Sequence, residues 1–243
     1  MAALLVWYRF VVPVRRGLRH RLQVAWIRPE APGVVSVYMT GRHLEELAAA
    51  PGQFFRWRFL APGLWWAANP YSLSALADPR FLRITVKAVG VHSAALARLA
   101  PGTRVWAEGP YGGFTGARRT AGKALLIAGG VGITPLRTLF ETLPGDVALL
   151  YRARRPEDLA LRGGLDAIAA ARGARVHYSV GEPSAYGFPF VRLTAAGLLE
   201  LVPDLRERDV YVCGPPGMTE AVLRALRGAG VPGRRIHHES FTF

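Results

Sequence analysis

The chain has 243 residues, 51% hydrophobic and 20% charged, with 27 Gly and 18 Pro, which excludes disordered and fibrous classes and leaves room for two domains. Its 31 Lys and Arg against 17 Asp and Glu give a net charge of +14, favouring anionic partners such as nucleotide phosphates or an anionic membrane surface. No basic block with interleaved aromatics marks a nucleic-acid reader, and the single cysteine, Cys213, excludes an internal disulfide, a thiolate-held zinc or an iron–sulfur cluster.

In chain order, residues 1–19 come first: an apolar stretch from Ala2 to Pro13 broken by Arg9, then Arg15, Arg16 and Arg19. A spanning helix needs about 20 apolar residues, so this stretch cannot cross a bilayer alone. The charge follows the apolar part instead of preceding it, which argues against a signal peptide. The pattern fits the cytoplasmic exit of a membrane helix, an interfacial helix on an anionic leaflet, or a short element packed on the following domain.

From residue 20 to about 118, short alternating runs are punctuated by Gly, Pro-Gly and Asp-Pro turns. Strands are predicted over Leu22–Arg28, Val34–Thr40, Gln53–Phe59, Tyr71–Ala75, Phe81–Ala88 and Arg104–Glu108, with one helix near Ser93–Ala100. Six such strands predict a small antiparallel barrel or sandwich.

From residue 119 to 243 the pattern becomes strand and helix in alternation. Strands are predicted over Lys123–Ala128, Asp146–Tyr151, Ala174–Val180 and Asp209–Cys213, and helices over Ile133–Leu143, Glu157–Arg172 and from about Met218. Uninterrupted apolar strands alternating with helices predict a Rossmann-like parallel α/β domain with ligands at the carboxyl ends of its strands.

Within this frame, Gly129-Gly130-Val131-Gly132-Ile133-Thr134-Pro135 carries a buried strand through glycines into a helix. Glycines permit close backbone approach, and the amides at a helix start favour an anion, so a pyrophosphate site is predicted. Pro135 stands where a G-x-G-x-x-G fingerprint has its third glycine, and no acidic residue follows the next strand, so an ordinary Rossmann dehydrogenase is the weaker reading. A second strand-to-turn junction is Cys213-Gly214-Pro215, where Cys213 lacks a Cys–His–acid constellation and reads as a small, nearly buried thiol. In the barrel region, Asn69-Pro70-Tyr71-Ser72-Leu73-Ser74, Val86-Lys87 running on to His92-Ser93, and Gly109-Pro110-Tyr111-Gly112 are each, taken singly, a turn beside a strand.

Taken in this order upstream of the glycine loop, these segments resemble the ferredoxin–NADP reductase family, and most closely the cytoplasmic flavin module of bacterial ferric-reductase-like and NADPH-oxidase-like membrane proteins. The resemblance covers residues 20 to 243. It implies an FAD-binding β-barrel over 20–118, a nucleotide-binding domain over 119–243, and the cofactors FAD and NAD(P)H. Asn69-Pro70-Tyr71-Ser72 matches the family's Arg-x-Tyr-Ser/Thr motif, with Asn69 in place of the arginine that meets the FAD phosphates. Tyr71 would stack on the flavin, Ser72 would bond near flavin N5, and Leu73 and Ser74 would continue the wall. Lys87 and the loop Gly90–Ser93, with His92, Ser93 and the helix amino-terminus, would supply the missing phosphate contacts, and Val86 would lie in the same FAD site.

By the same resemblance, Gly129 to Pro135, with Gly130, Val131, Gly132 and Thr134, would cradle the nicotinamide dinucleotide. Cys213, Gly214 and Pro215 would form its second wall. An aromatic at the terminus would cover the flavin, Phe241 first and Phe243 as the alternative, and Glu239 would relay a proton toward Ser72. Arg152, Arg154 and Arg155 suit a 2′-phosphate and favour NADPH. The implied activity is hydride transfer from NAD(P)H to FAD and single-electron delivery to a haem, ferric iron or a redox protein, at the inner face of the membrane. Alternatives are a reductase that uses free flavin as substrate and a non-catalytic nucleotide-binding module.

Overall fold

A computed structural model describes residues 17, 19–47, 49–181 and 190–240. The chain divides into two compact units, one through Gly113 and the other from Phe114.

The first unit contains β1 (Gln23–Ala31), β2 (Val34–Thr40), β3 (Phe54–Phe59), β4 (Asn69–Ser72), β5 (Leu82–Lys87) and β6 (Val105–Tyr111), with a short helix α1 (Val91–Ala95) after β5. They form two three-stranded antiparallel sheets, β1-β2-β5 and β4-β3-β6. Single bridges Gln23↔Arg104 and Leu73↔Ile84 join the sheets at two corners, giving a six-stranded barrel. Alternation decides which side of each strand is inside: in β3, Phe55, Trp57 and Phe59 are fully buried while Arg56 and Arg58 point outward. Val37, Met39, Ile84, Leu96 and Val105 complete this core. The one polar atom of Trp57 is satisfied, since its indole nitrogen donates to the Tyr71 carbonyl at 2.9 Å.

The second unit contains β7 (Lys123–Gly129), α2 (Ile133–Thr142), β8 (Asp146–Ala153), α3 (Arg162–Arg172), β9 (Arg175–Val180), α4 (Ala195–Leu201), β10 (Arg208–Gly214), α5 (Pro216–Gly228) and β11 (Ile236–Ser240). All five strands are parallel, in the order β11-β10-β7-β8-β9. Residues of β7, β8 and β10 are buried on both faces, as their continuous apolar runs demand. Leu125, Ile127, Leu150, Val210 and Val212 pack with Leu198 of α4, with Val202 just past its end, and with Val222 and Leu226 of α5. Helix α2 packs against β7, β8 and β10.

Several element ends differ from the sequence reading. The helix predicted from Glu157 begins only at Arg162, because Leu161 adopts a left-handed conformation, φ 63°, after a single 3-10 turn over Pro156–Asp158. The helix predicted over Ser93–Ala100 is α1 followed by a 3-10 turn over Leu96–Arg98. Strand β4 starts at Asn69 and ends at Ser72, two residues ahead of its predicted start and three short of its predicted end. Helix α4 and strand β11 have no counterpart in the sequence reading. No helix among the described residues is long and apolar enough to cross a membrane.

Candidate functional site

In the first unit, β4 presents the Asn69–Ser72 segment along β3, with Trp57 opposite Asn69 and Phe55 opposite Tyr71. Ser72 is 3% exposed, and its Oγ has no hydrogen-bond partner in the structure. A buried hydroxyl without a partner costs about 1–3 kcal/mol, so such a group marks a place where a ligand completes the bonding. Beside it, Tyr71 is half-buried, and burial pushes its hydroxyl up to about 12, keeping it a neutral donor.

Asn69 is tied to His92, with its amide nitrogen 2.7 Å from His92 Nδ1, while His92 Nε2 lies 3.4 Å from the Leu64 carbonyl oxygen. Lys87, at the end of β5, is exposed. Thus Asn69, Tyr71, Ser72 and His92 belong to one neighbourhood of strand and loop. Other predicted residues are placed elsewhere. Leu73 and Val86 point into the barrel core. Ser74 is fully buried; its hydroxyl donates to the Arg83 carbonyl and accepts from Thr85 Oγ1 at 2.8 Å and Arg83 Nε at 3.0 Å, which commits it to the barrel wall. Ser93 Oγ accepts from the Val89 and Gly90 amides at 3.0 and 3.1 Å, so it caps its own loop.

In the second unit, the glycine segment leaves β7 through a 3-10 turn, Gly130–Gly132, directly into α2. The three glycines stand in three different settings. Gly130 has φ +53° with open space around it; a Cβ on Gly132 would stand 2.1 Å from the Cys213 carbonyl oxygen; a Cβ on Gly129 would meet Met218 Sδ at 2.3 Å. The turn after β10 lies next to it, since Cys213 is in register with Ala128 of β7. Between β7 and β10 the strand order reverses direction, which is where open α/β sheets bind ligands.

Thr134 is buried and its hydroxyl donates to the Val131 carbonyl at 3.0 Å. Cys213 is fully buried, and burial followed by the nearby Glu239 charge pushes its thiol well up, so it stays protonated and is no nucleophile. Glu239 stands opposite Cys213 in the β10–β11 register; its Oε2 is buried without a partner, and burial raises its carboxyl. Arg152 is half-buried, its guanidinium 4.9 Å from the Phe190 ring centre and bonded to the Val191 carbonyl at 3.3 Å, whereas Arg154 is exposed. Phe241 and Phe243 lie outside the described residues.

The sequence reading missed a further group. Asp209 is fully buried and accepts from the Thr120 and Ala121 amides at 2.9 and 2.5 Å, with His237 Nε2 at 2.9 Å on its other oxygen. The Tyr211 ring stacks on His237 at 4.5 Å. An acidic residue opening an otherwise apolar strand was the only signal of this arrangement.

Residues 126–224 match the model of the oxidoreductase NAD-binding domain family. Over 230 residues the chain is 34% identical to the stachydrine N-demethylase reductase subunit of Rhizobium meliloti, covering 88% of this chain and 64% of that protein. It is 34% identical over 191 residues to ferredoxin–NADP reductase B of Sorangium cellulosum, covering 70% of this chain and 77% of that protein. Among solved structures, a cytochrome P450 reductase of Amycolatopsis superposes with a TM-score of 0.75 at 30% identity, covering 92% of this chain and 70% of that one. The chain therefore spans just under two thirds of the length of the Rhizobium relative.

Proposed function

The chain belongs to the ferredoxin–NADP reductase superfamily of FAD- and NAD(P)-binding oxidoreductases, and from that premise we propose that it takes electrons from NAD(P)H onto FAD and delivers them singly to an acceptor. The observation that carries this reading is Ser72 Oγ, buried and without a partner beside half-buried Tyr71 on β4. When bound, FAD supplies the conversion of a two-electron hydride into single electrons. The protein's task is positioning and exclusion of water, so no side-chain nucleophile is needed.

Ser72 donates its hydroxyl hydrogen bond to the flavin ring, and Tyr71 offers its ring face and a neutral hydroxyl to the same group. Gly129 to Gly132 and the first amides of α2 receive the nucleotide pyrophosphate, where a helix start favours negative charge. Gly214 and Pro215 form the opposite wall. Glu239, its carboxyl raised by burial and its Oε2 without a partner, is the group assigned to proton relay. Arg154, exposed one residue past the end of β8, pairs with a 2′-phosphate and makes NADPH the preferred donor.

The test is an anaerobic titration of the FAD-reconstituted chain with NADPH and then NADH. NADPH bleaches the bound flavin at lower concentration than NADH. Ser72→Ala keeps FAD but slows bleaching about tenfold, the weight of one hydrogen bond. A wild-type chain that takes up no FAD sinks the reading and leaves flavin as a passing substrate, in line with the uncharged Asn69.

For the acceptor, relatives named as reductase components of monooxygenase systems support a redox protein. The apolar Ala2–Val12 stretch followed by Arg15, Arg16, Arg19 and Arg21 supports work at the inner face of a membrane, with a membrane haem domain as recipient. The full chain then sediments with anionic liposomes while a variant lacking residues 1–19 does not; equal behaviour of the two overturns the membrane assignment.

A further inference from the structure

Strand β11 lies at the edge of the parallel sheet and pairs with β10 alone. Of its residues, Ile236-His237-His238-Glu239-Ser240, only the first is apolar. A strand polar on both faces specifies its register weakly, and a slip of one residue turns every side chain to the opposite face. Here a slip has a chemical consequence. In the observed register Tyr211 stands opposite His237 and Cys213 opposite Glu239. With His238 opposite Tyr211 instead, Ser240 would face Cys213, and Glu239 would stand opposite Val212 on the side of the apolar cluster formed with Val210, Val222 and Leu226.

With two adjacent histidines, the strand needs a device that accepts one and refuses the other. Asp209, fully buried near the start of β10, is placed to do so. Its Oδ2 accepts from the Thr120 and Ala121 amides, which leaves Oδ1 for a further donor, and His237 Nε2 stands 2.9 Å from it. A carboxylate only accepts, so His237 carries its hydrogen on Nε2. The Tyr211 ring stacks on the imidazole at 24° between planes, and its hydroxyl donates to the Thr115 carbonyl at 3.3 Å. On the other face Ile236 packs against the apolar cluster, while His238 is exposed.

We propose that the Asp209–His237 pair is the register lock of β11 and, through it, the positioning element for Glu239. The inference rests on the reading of Glu239 as the proton relay. Glu239 follows His237 by two residues on the same face of the strand, so the bond to Asp209 decides whether that carboxyl lies beside Cys213 or on the opposite side. Asp209 and His237 act on the reaction only through the carboxyl they place.

Cys213 is the single cysteine of the chain and is fully buried, so its labelling reports on the cover that β11 gives it. The experiment measures N-ethylmaleimide labelling in low urea, and NADPH turnover with ferricyanide, on the FAD-loaded full chain. It compares the wild type with His237→Phe, His237→Gln, Glu239→Gln and the double variant of His237→Phe with Glu239→Gln. His237→Phe keeps a ring for Tyr211 but has no donor for Asp209. It labels roughly tenfold to a hundredfold faster, the weight of one hydrogen bond to a charged group. That rate is insensitive to low urea, as local release of an edge strand requires. His237→Gln, whose amide nitrogen takes the place of Nε2, keeps the wild-type rates. At saturating NADPH, His237→Phe turns over as slowly as Glu239→Gln with KM unchanged, and the double variant is no slower than Glu239→Gln alone.

The lock is overturned if His237→Phe labels as the wild type does, if its labelling climbs steeply with urea as global unfolding does, or if His237→Gln behaves like His237→Phe. Positioning is overturned if the double variant is slower than Glu239→Gln. Wild-type turnover by Glu239→Gln overturns the relay reading, and the pair's part in turnover with it, while the labelling decides the lock by itself.

Discussion

Replacing Arg208 by methionine lowers the stability of the second unit by about 3 kcal/mol at neutral pH. The Arg208 side chain is 2% exposed at the start of β10. Its Nε donates to Asp204 Oδ1 at 2.7 Å, its Nη2 to Asp146 Oδ2 at 2.5 Å, and its Nη1 to the Ala124 carbonyl at 3.1 Å. One guanidinium thereby fastens β10, β7 and β8 at their amino-terminal ends. Removing one partner of a buried ion pair costs about 3–5 kcal/mol. Asp204 and Asp146 are partly exposed, so water takes over some of their solvation and places the loss at the lower end.

The loss depends on pH in a fixed direction. The Arg208 hydrogen bond, assisted by Lys123, pulls the Asp204 carboxyl down to about 2. A carboxyl depressed in the folded state contributes stability that is complete above its unfolded value and is lost as pH falls from roughly 4 through about 2. Without Arg208 that contribution largely disappears, so the stability gap between wild type and variant narrows toward pH 2. Urea denaturation of both proteins across this range measures it, and a gap that stays constant with pH rules out the Asp204 coupling.

A comparable loss, this time in ligand binding, is expected from one methyl group at Gly132. Its Cβ would stand 2.1 Å from the Cys213 carbonyl oxygen and 2.8 Å from the Gly214 amide nitrogen, both backbone atoms of a buried strand that cannot turn aside. Gly132→Ala therefore forces the start of α2 away from β10, costing about 1–3 kcal/mol of stability by overpacking and reducing NADPH affinity at least tenfold, roughly 1.4 kcal/mol. Gly130 is the internal control. It has open space around it and only its left-handed φ of 53° to defend, so Gly130→Ala costs about 1 kcal/mol of strain. NADPH titration and thermal melts of the two variants separate close approach from conformational freedom; the wild-type affinity in Gly132→Ala would refute the crowding argument.

The parts of the fold legible in the sequence were those governed by local pattern. Alternation in Phe54–Phe59 located the barrel interior, the uniform apolar runs in β7, β8 and β10 announced a sheet buried on both faces, and the glycines after β7 marked the loop into α2. The parts that stayed hidden depend on partners distant along the chain. Ile236–Ser240 is nearly all polar, and becomes a strand only because β10 offers it a parallel edge and Asp209 holds His237. Arg208 looks like any other arginine of a strongly basic chain until Asp204 and Asp146 are brought around it. In the candidate site, Tyr71 and Ser72 were legible from their motif. The commitment of Ser74 to the barrel wall and the tie between Asn69 and His92 required contacts between separate strands and loops.

The strand order β11-β10-β7-β8-β9 also fixes a timetable for synthesis of the second unit. One edge of β7 is met by β8 soon after it is made, but its other edge waits for β10, which begins about eighty residues after β7 ends. At about 5–20 residues per second, the ribosome leaves that edge bare for roughly 4–16 s. The exposed strand is Lys123-Ala-Leu-Leu-Ile-Ala-Gly129, a short apolar run with a single charge, the kind of edge that pairs with neighbouring chains. Yield from a cell should therefore depend on how quickly translation reaches β10, and on what shelters β7 until it does.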